Sequence, residues 1–303
     1  MAYKHFGEIQ ISQRSELIAR ITERSELFAK DTDAIFKFLV EQIAADTNGS
    51  LCGHLRLCGN TPERFDHDST EEKQYSKYTD ALLSLTFKQM GFESVVLTER
   101  ADVADVDVFT TDYSFVADAK AFRLSRTAKN QKDFKVQQMD TWKHGKPFAM
   151  VVCPIHQLPA RSSQIYKQAI TRSVCVFTYS HLSVILRLSE VKGTAYVARL
   201  LQSIFERIPL LHPSKSSNAY WVSINELITQ SSDVARDIWR EEKEAGEEAL
   251  QLGKLESLRY LAEQRETFVK MGREEAIAKL LAYTKIDSKI EQIERVSMNG
   301  ILS

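Results

Sequence analysis

The stretch FVADAKAFRLSRTAKNQKDFKV, Phe115 to Val136, sets two opposite charges, Asp118 and Lys120, at the end of an apolar run and then releases a burst of Arg, Lys and Asn. A charge held away from water is costly unless something specific pairs with it, so this strand does more than fill a core. Residues two apart in a strand point to the same side. Asp118 and Lys120 therefore project together, while the small Ala117 and Ala119 face the other way. Just upstream, Asp105 to Thr110 alternates Val106 and Val108 with polar residues, which predicts a second strand carrying Asp105 and Asp107 two residues apart. The intervening turn is short enough to bring one of those acids beside Asp118.

Two carboxylates converging with a lysine make a site for a hard cation. Oxygen ligands suit Mg²⁺, which keeps several waters and binds through one or two carboxylates plus a phosphate. Such an ion lowers the pKa of its bound water and stabilises charge at phosphorus, while a lysine positions or deprotonates the nucleophile. Hydrolysis of a phosphodiester uses all of these parts.

The segment after the triplet points to the substrate. From Lys120 to Lys146 there are eight basic residues and two acids, a local charge of +6 in a chain whose formal net charge is −1. The stretch REEKEAGEE, Arg240 to Glu248, offsets part of that excess. A local basic patch on a nearly neutral protein suits one defined polyanion surface rather than general stickiness. In RLSRTAKNQKDFK, Arg and Lys can pair with guanine, Asn and Gln with adenine and Asp with cytosine, and the rest can neutralise phosphates. The plainer reading of such a run is an exposed, solvated helix face.

Outward from this centre the pattern is that of a mixed α/β fold. Residues 12–46 alternate charged and apolar positions at helical spacing and read as one or two amphipathic helices. Ser69 or Thr70 can cap a helix running to Gly91, with Tyr75, Tyr78, Leu82 and Leu85 along one face and Glu71 and Glu72 in its first turn, where acids complement the helix dipole. Three strands are predicted over 94–97, 105–110 and 114–120, then a helix over 127–144, a strand over 147–153, a helix over 162–171, a strand over 174–179 and a helix capped by Ser180. The stretch HPSKSSN, His212 to Asn218, reads as a linker, and residues beyond it as helices. The expected division is an N-terminal helical region over 1–68, a catalytic core over 69–211 and a helical C-terminal region over 219–303.

Four scattered cysteines argue for reduced thiols rather than a disulfide framework. Cys52, His54, Cys58 and His67 do not follow a common zinc-ligand spacing. The N-terminus MAYKHFGEIQ lacks the basic-then-apolar order of a secretory signal and no long apolar run occurs, so a cytoplasmic protein without membrane association is expected. The phosphate-binding sequences G-x-x-x-x-G-K-[ST] and G-x-G-x-x-G are missing, as is the G-x-S-x-G of serine hydrolases.

The block from Phe115 to Val136, together with STEEKQYSKYTDALLSLTF at Ser69 to Phe87, resembles the HindIII-like type II restriction endonucleases of the PD-(D/E)-x-K nuclease superfamily. The likeness is concentrated in Ser69 to Leu188. It implies a restriction-endonuclease-like mixed-sheet core and a Mg²⁺-dependent homodimer that cuts double-stranded DNA at a palindromic hexanucleotide, AAGCTT in that family, leaving 5′ overhangs. It also implies a companion DNA methyltransferase that protects the host genome. Asp118 and Lys120 take the (D/E)-x-K positions, Asp105 takes the first Asp, and Glu72 matches a family acid that can lie near the metal. With RLSRTAKNQKDFK shared almost as a unit, the resemblance implies that Ala128 to Asp133 enters a groove, with Asn130 and Lys132 nearest to base edges and Arg123, Arg126, Lys129 and Lys135 mainly holding phosphates. Val103 and Ala104 precede Asp105 where the family pattern has a proline, and the spacing to Asp118 is two residues shorter, which leaves Asp107 as the alternative. Two other functions fit the basic segment: a DNA-binding regulator without catalysis, insensitive to Mg²⁺, and a repair nuclease that recognises branched or damaged DNA.

Overall fold

The computed structural model describes residues 3–23, 28–45, 49–97, 104–126 and 131–295. The chain divides into two compact units, Met1–Glu256 and Ser257–Ser303. The first contains a five-stranded sheet in the order β1 (Glu93–Val96), β2 (Val106–Phe109), β3 (Ser114–Ala119), β4 (Phe148–Cys153) and β5 (Val174–Thr178). Strands β1 to β3 pair antiparallel, and β3, β4 and β5 pair parallel. The sheet is mixed because a turn of a few residues joins β2 to β3, whereas each parallel step after β3 is bridged by helical chain. Strand β3 is consequently central, and its Asp118 lies in register with Val151 of β4.

Three helices precede the sheet's principal helix: α1 (Glu8–Glu23), α2 (Phe28–Ala45) and α3 (Ser50–Cys58). Helix α4 (Thr70–Gln89) packs against β1, β2 and β3. Ser69 is its N-cap, accepting a hydrogen bond from the Glu72 N–H at 3.1 Å. At its other end Gly91 takes φ +86°, and Phe92 N–H closes onto the Phe87 carbonyl at 3.0 Å, a geometry that favours a residue without Cβ. Tyr75, Tyr78 and Leu82 are buried in one continuous core with Phe115, Val151 and Phe177.

The helix expected over 127–144 is shorter and broken. Residues 127–130 lie outside the described residues; Gln131–Phe134 forms a 3₁₀ turn, and α5 runs only from Val136 to Trp142. Lys135 breaks the run at φ +49°. The break lets both Phe134 and Val136 be buried, with Phe134 against the Phe122 ring at 6.0 Å, a packing that one straight helix would give to only one of them. Helix α6 (Gln164–Arg172) follows β4. Helix α7 (Tyr179–Lys192) starts earlier than expected, because Thr178 rather than Ser180 is its N-cap and accepts from His181 N–H at 3.2 Å.

Helices α8 (Thr194–Arg207), α9 (Ser217–Gln230) and α10 (Asp233–Lys270) come next; the linker expected over His212 to Asn218 is shorter, because Ser217 and Asn218 already belong to α9. The early part of α10 carries Glu242, whose side chain is fully buried; it takes Arg56 of α3 at 2.5 Å and Arg187 of α7 at 2.9 Å. The second unit contributes α11 (Arg273–Thr284) and α12 (Ile286–Glu294). Among the described residues, no helix is long and apolar enough to cross a membrane. All four cysteines are free and buried, and both ring nitrogens of His54 are engaged, by Tyr78 at 3.0 Å and Gln42 at 2.9 Å.

Candidate active site

The β2–β3 hairpin places its acids by register. Val106 faces Ala117, so Asp105, one residue before β2, falls beside Asp118. Lys120 lies one residue beyond β3, where its N–H still donates to the Val152 carbonyl at 2.8 Å and its own carbonyl accepts from Tyr179 Oη at 3.0 Å. Its backbone is thus fixed, and its Nζ reaches Asp118 Oδ1 at 2.5 Å. The following loop is pinned as well: Phe122 N–H donates to Gly59 O at 3.1 Å and Thr61 N–H to Phe122 O at 3.3 Å.

A third carboxylate comes from α4. Asp80 is buried, and one ligand oxygen from each of Asp80, Asp105 and Asp118 lies within 4.8 Å of the others. Both Asp80 oxygens and Asp118 Oδ2 are buried without a hydrogen-bond partner. Buried polar atoms are nearly always satisfied. Three clustered carboxylates, two of them with oxygens that lack a hydrogen-bond partner, are an arrangement that a cation can complete, and the all-oxygen donor set suits a hard divalent ion.

The electrostatics follow from crowding like charges out of water. Burial and then Asp105 push the Asp80 carboxyl well above the usual range. Burial, followed by Asp118, lifts Asp105 to about 6. For Lys120, burial works against the charge, but Asp118 and Asp105 outweigh it and hold the ammonium above its ordinary value. A carboxyl raised in the folded state binds its proton more tightly there than in the unfolded chain. Folding stability is therefore lost as pH rises from about 4 through about 6. In EDTA at pH 7.5, Asp105→Asn should unfold at higher denaturant than the parent protein, by up to about 3 kcal/mol, with the two curves converging as pH falls toward 4. Equal midpoints at pH 7.5 would show that the crowding costs the fold nothing.

The other residues singled out by sequence are distributed around this centre. Asp107 is not part of the cluster; it pairs with Lys146 at 3.0 Å. Glu72 lies at the start of α4, taking the Asp68 N–H at 2.8 Å, His67 Nδ1 at 3.3 Å and Arg123 at 3.3 Å, and is not grouped with Asp80, Asp105 and Asp118. Arg123 also donates to the Phe65 carbonyl. Arg126 pairs with Asp133 at 2.8 Å and lies over the Phe122 ring, and Lys135 lies over the Trp142 ring. Lys129 and Asn130 lie outside the described residues, as does the side chain of Lys132. Asp80 was missed by sequence reasoning, although it is the single charge in the run TDALLSLTF, the same anomaly that drew attention to Asp118.

A central strand with Asp118 near its end and Lys120 just past it, a second Asp just before the neighbouring strand, and a mixed five-stranded sheet flanked by helices define a nuclease core of the restriction-endonuclease-like class. The model of the HindIII restriction endonuclease family matches residues 15–297. The chain is also 32% identical over 251 residues to the Type II restriction enzyme HindIII of Haemophilus influenzae, which spans 79% of this chain and 81% of that protein. The chain belongs to the HindIII restriction endonuclease family and is a site-specific deoxyribonuclease of type II. Enzymes of this class work with a divalent metal, and the acidic cluster is compatible with one.

Proposed function

We propose that the enzyme hydrolyses double-stranded DNA with Mg²⁺ at the palindrome AAGCTT, as a homodimer, and leaves 5′-phosphate ends on 5′ overhangs. The observation that carries the chemistry is the set of orphaned oxygens on Asp80 and Asp118 gathered with Asp105 beside the Lys120 ammonium. Asp80, Asp105 and Asp118 would hold the ion. When bound, it would supply Lewis acidity at the scissile phosphate and favour deprotonation of an attacking water.

The protein's own groups do the rest. Asp118 orients Lys120 through their 2.5 Å contact, and the fixed backbone of Lys120 keeps that ammonium at the site. There it can hold the attacking water by hydrogen bonding and offset charge building on the phosphoryl oxygens. Water oxygen forms the new bond to phosphorus, the bond from phosphorus to the 3′ oxygen breaks, and that oxygen leaves with a proton. A palindromic target calls for a two-fold partner so that each site cuts one strand. A methyltransferase modifying the same sequence is the functional partner that keeps the host DNA intact. The residues around Asn130 and Lys132 are the proposed base-reading segment, with Arg123, Arg126, Lys129 and Lys135 the proposed phosphate contacts.

The test is digestion of plasmid DNA with and without Mg²⁺, followed by sequencing of the fragment ends. Discrete fragments that share AAGCTT across each junction and vanish in EDTA are expected. Discrete fragments sharing another hexanucleotide would replace the proposed specificity, and ends with no common sequence would reject it.

A further inference from the structure

A second lysine faces the acidic cluster, and neither the sequence motif nor the proposed hydrolysis uses it. Lys77, one helical turn before Asp80 on α4, has its Nζ 3.6 Å from Asp80 Oδ2 and 3.9 Å from Asp105 Oδ1. Both separations are too long for a good hydrogen bond. The ammonium is held between the two carboxylates by charge rather than locked to either. It differs in this from Lys120, which is in hydrogen-bonding contact with Asp118 at 2.5 Å and is 13% exposed against 25% for Lys77. A four-carbon stem with access to water can withdraw without rearranging the backbone.

We propose that Lys77 is a positioning residue that acts as an internal counter-ion: its ammonium holds Asp80 and Asp105 together in the free enzyme and thereby weakens loading of a divalent ion before DNA arrives. The inference rests on the reading of Asp80, Asp105 and Asp118 as the ion's ligands. When all groups are ionised, three carboxylates facing two ammonium groups leave one net negative charge in the cluster. That is a poor match for a divalent cation. Without Lys77 the excess is two. An entering DNA phosphate offers the ammonium another partner and so favours its withdrawal. The consequence is an enzyme whose ion-binding groups are held together against their mutual repulsion, yet poorly loaded, until substrate is present.

The experiment measures Mn²⁺ binding to the DNA-free protein by electron paramagnetic resonance and calorimetry at fixed ionic strength, comparing the parent protein with Lys77→Met, Lys77→Gln, Lys77→Arg and Asp118→Asn. Lys77→Met and Lys77→Gln are expected to bind Mn²⁺ at least about tenfold more tightly, while Lys77→Arg stays within about threefold of the parent. A lysine with only a structural role would lower the unfolding temperature without raising ion affinity. If Asp118→Asn loses the ion but neither neutral Lys77 variant tightens binding, the counter-ion role is overturned and the ligand set stands. If Asp118→Asn binds Mn²⁺ as tightly as the parent, the ligand set itself is wrong and the role of Lys77 falls with it.

Discussion

Asp118→Asn is expected to lower the single-turnover rate of DNA cleavage by about a thousandfold or more while sparing binding of the same DNA. The Asp118 side chain is fully buried, with Oδ1 on Lys120 and Oδ2 lacking a geometrically good hydrogen bond, a costly placement that Lys120 offsets in part and that chemistry at the site accounts for. The amide has the same shape and removes one of three crowded acidic groups. The sheet should therefore survive, and DNA phosphates should meet less repulsion. Lys120→Ala should cost a comparable factor, since it removes an ammonium fixed in hydrogen-bonding contact with the cluster. Cleavage followed on gels with Mg²⁺, alongside gel-shift titrations with Ca²⁺, separates the two properties. Full cutting by Asp118→Asn would remove this site from consideration, and loss of binding in parallel with cutting would indicate a folding defect instead.

Glu242→Ala should be the most damaging single change to the fold, by about 3–5 kcal/mol. Glu242 is completely buried and neutralises two guanidinium groups at once: Arg56 through two contacts of 2.5 and 2.9 Å, and Arg187 at 2.9 Å. Burial opposes the charge on Arg56, and the hydrogen bond to Glu242 more than offsets it. Truncation would leave Arg56 without its carboxylate and Arg187 with only Glu241, at 2.6 Å. A loss of that size is a large share of the 5–15 kcal/mol by which domains are usually stable. In a domain of this length it lowers the melting temperature on the order of 10 °C. Thermal and urea unfolding of Glu242→Ala and Glu242→Gln measure it, with Gln expected to be less harmful because it keeps the volume and some hydrogen bonding. A shift below about 1 kcal/mol for Glu242→Ala would mean that the junction of α3, α7 and α10 is held by its apolar contacts alone.

The sheet was legible in the sequence because its strands are short apolar runs bounded by turn residues. All five appear within a residue or two of where the alternation put them. The helix after β3 was read too long because Phe134, Lys135 and Val136 carry no Gly or Pro to mark the break. Only the tertiary demand that Phe134 meet Phe122 forces Lys135 into a left-handed conformation. The α7 cap was misplaced by two residues because Thr178, the last residue of a buried strand, serves as both strand end and helix cap.

At the site, strand spacing implied that one acid of the preceding strand meets Asp118, whereas the choice between Asp105 and Asp107 depended on the register of the β2–β3 pairing, which sequence does not define to the residue. Asp80 and Lys77 were invisible to strand reasoning, since they come from a helix whose approach to the hairpin is decided by packing. The remaining signal was a lone carboxylate in an otherwise uncharged stretch of α4.

The β2–β3 hairpin bears on how the molecule reaches its native state. Asp105, Asp118 and Lys120 all belong to one contiguous piece of chain that reverses through Thr110 to Tyr113, where Thr110 N–H donates to the Tyr113 carbonyl at 2.9 Å. Closing so short a loop is entropically cheap, and hairpins form in microseconds, whereas the parallel partners β4 and β5 must wait for their crossovers. The two mutually repelling acids and the amine that offsets them can thus meet during an early, local event. Asp80 joins them through a separate step, the packing of α4 onto β1, β2 and β3.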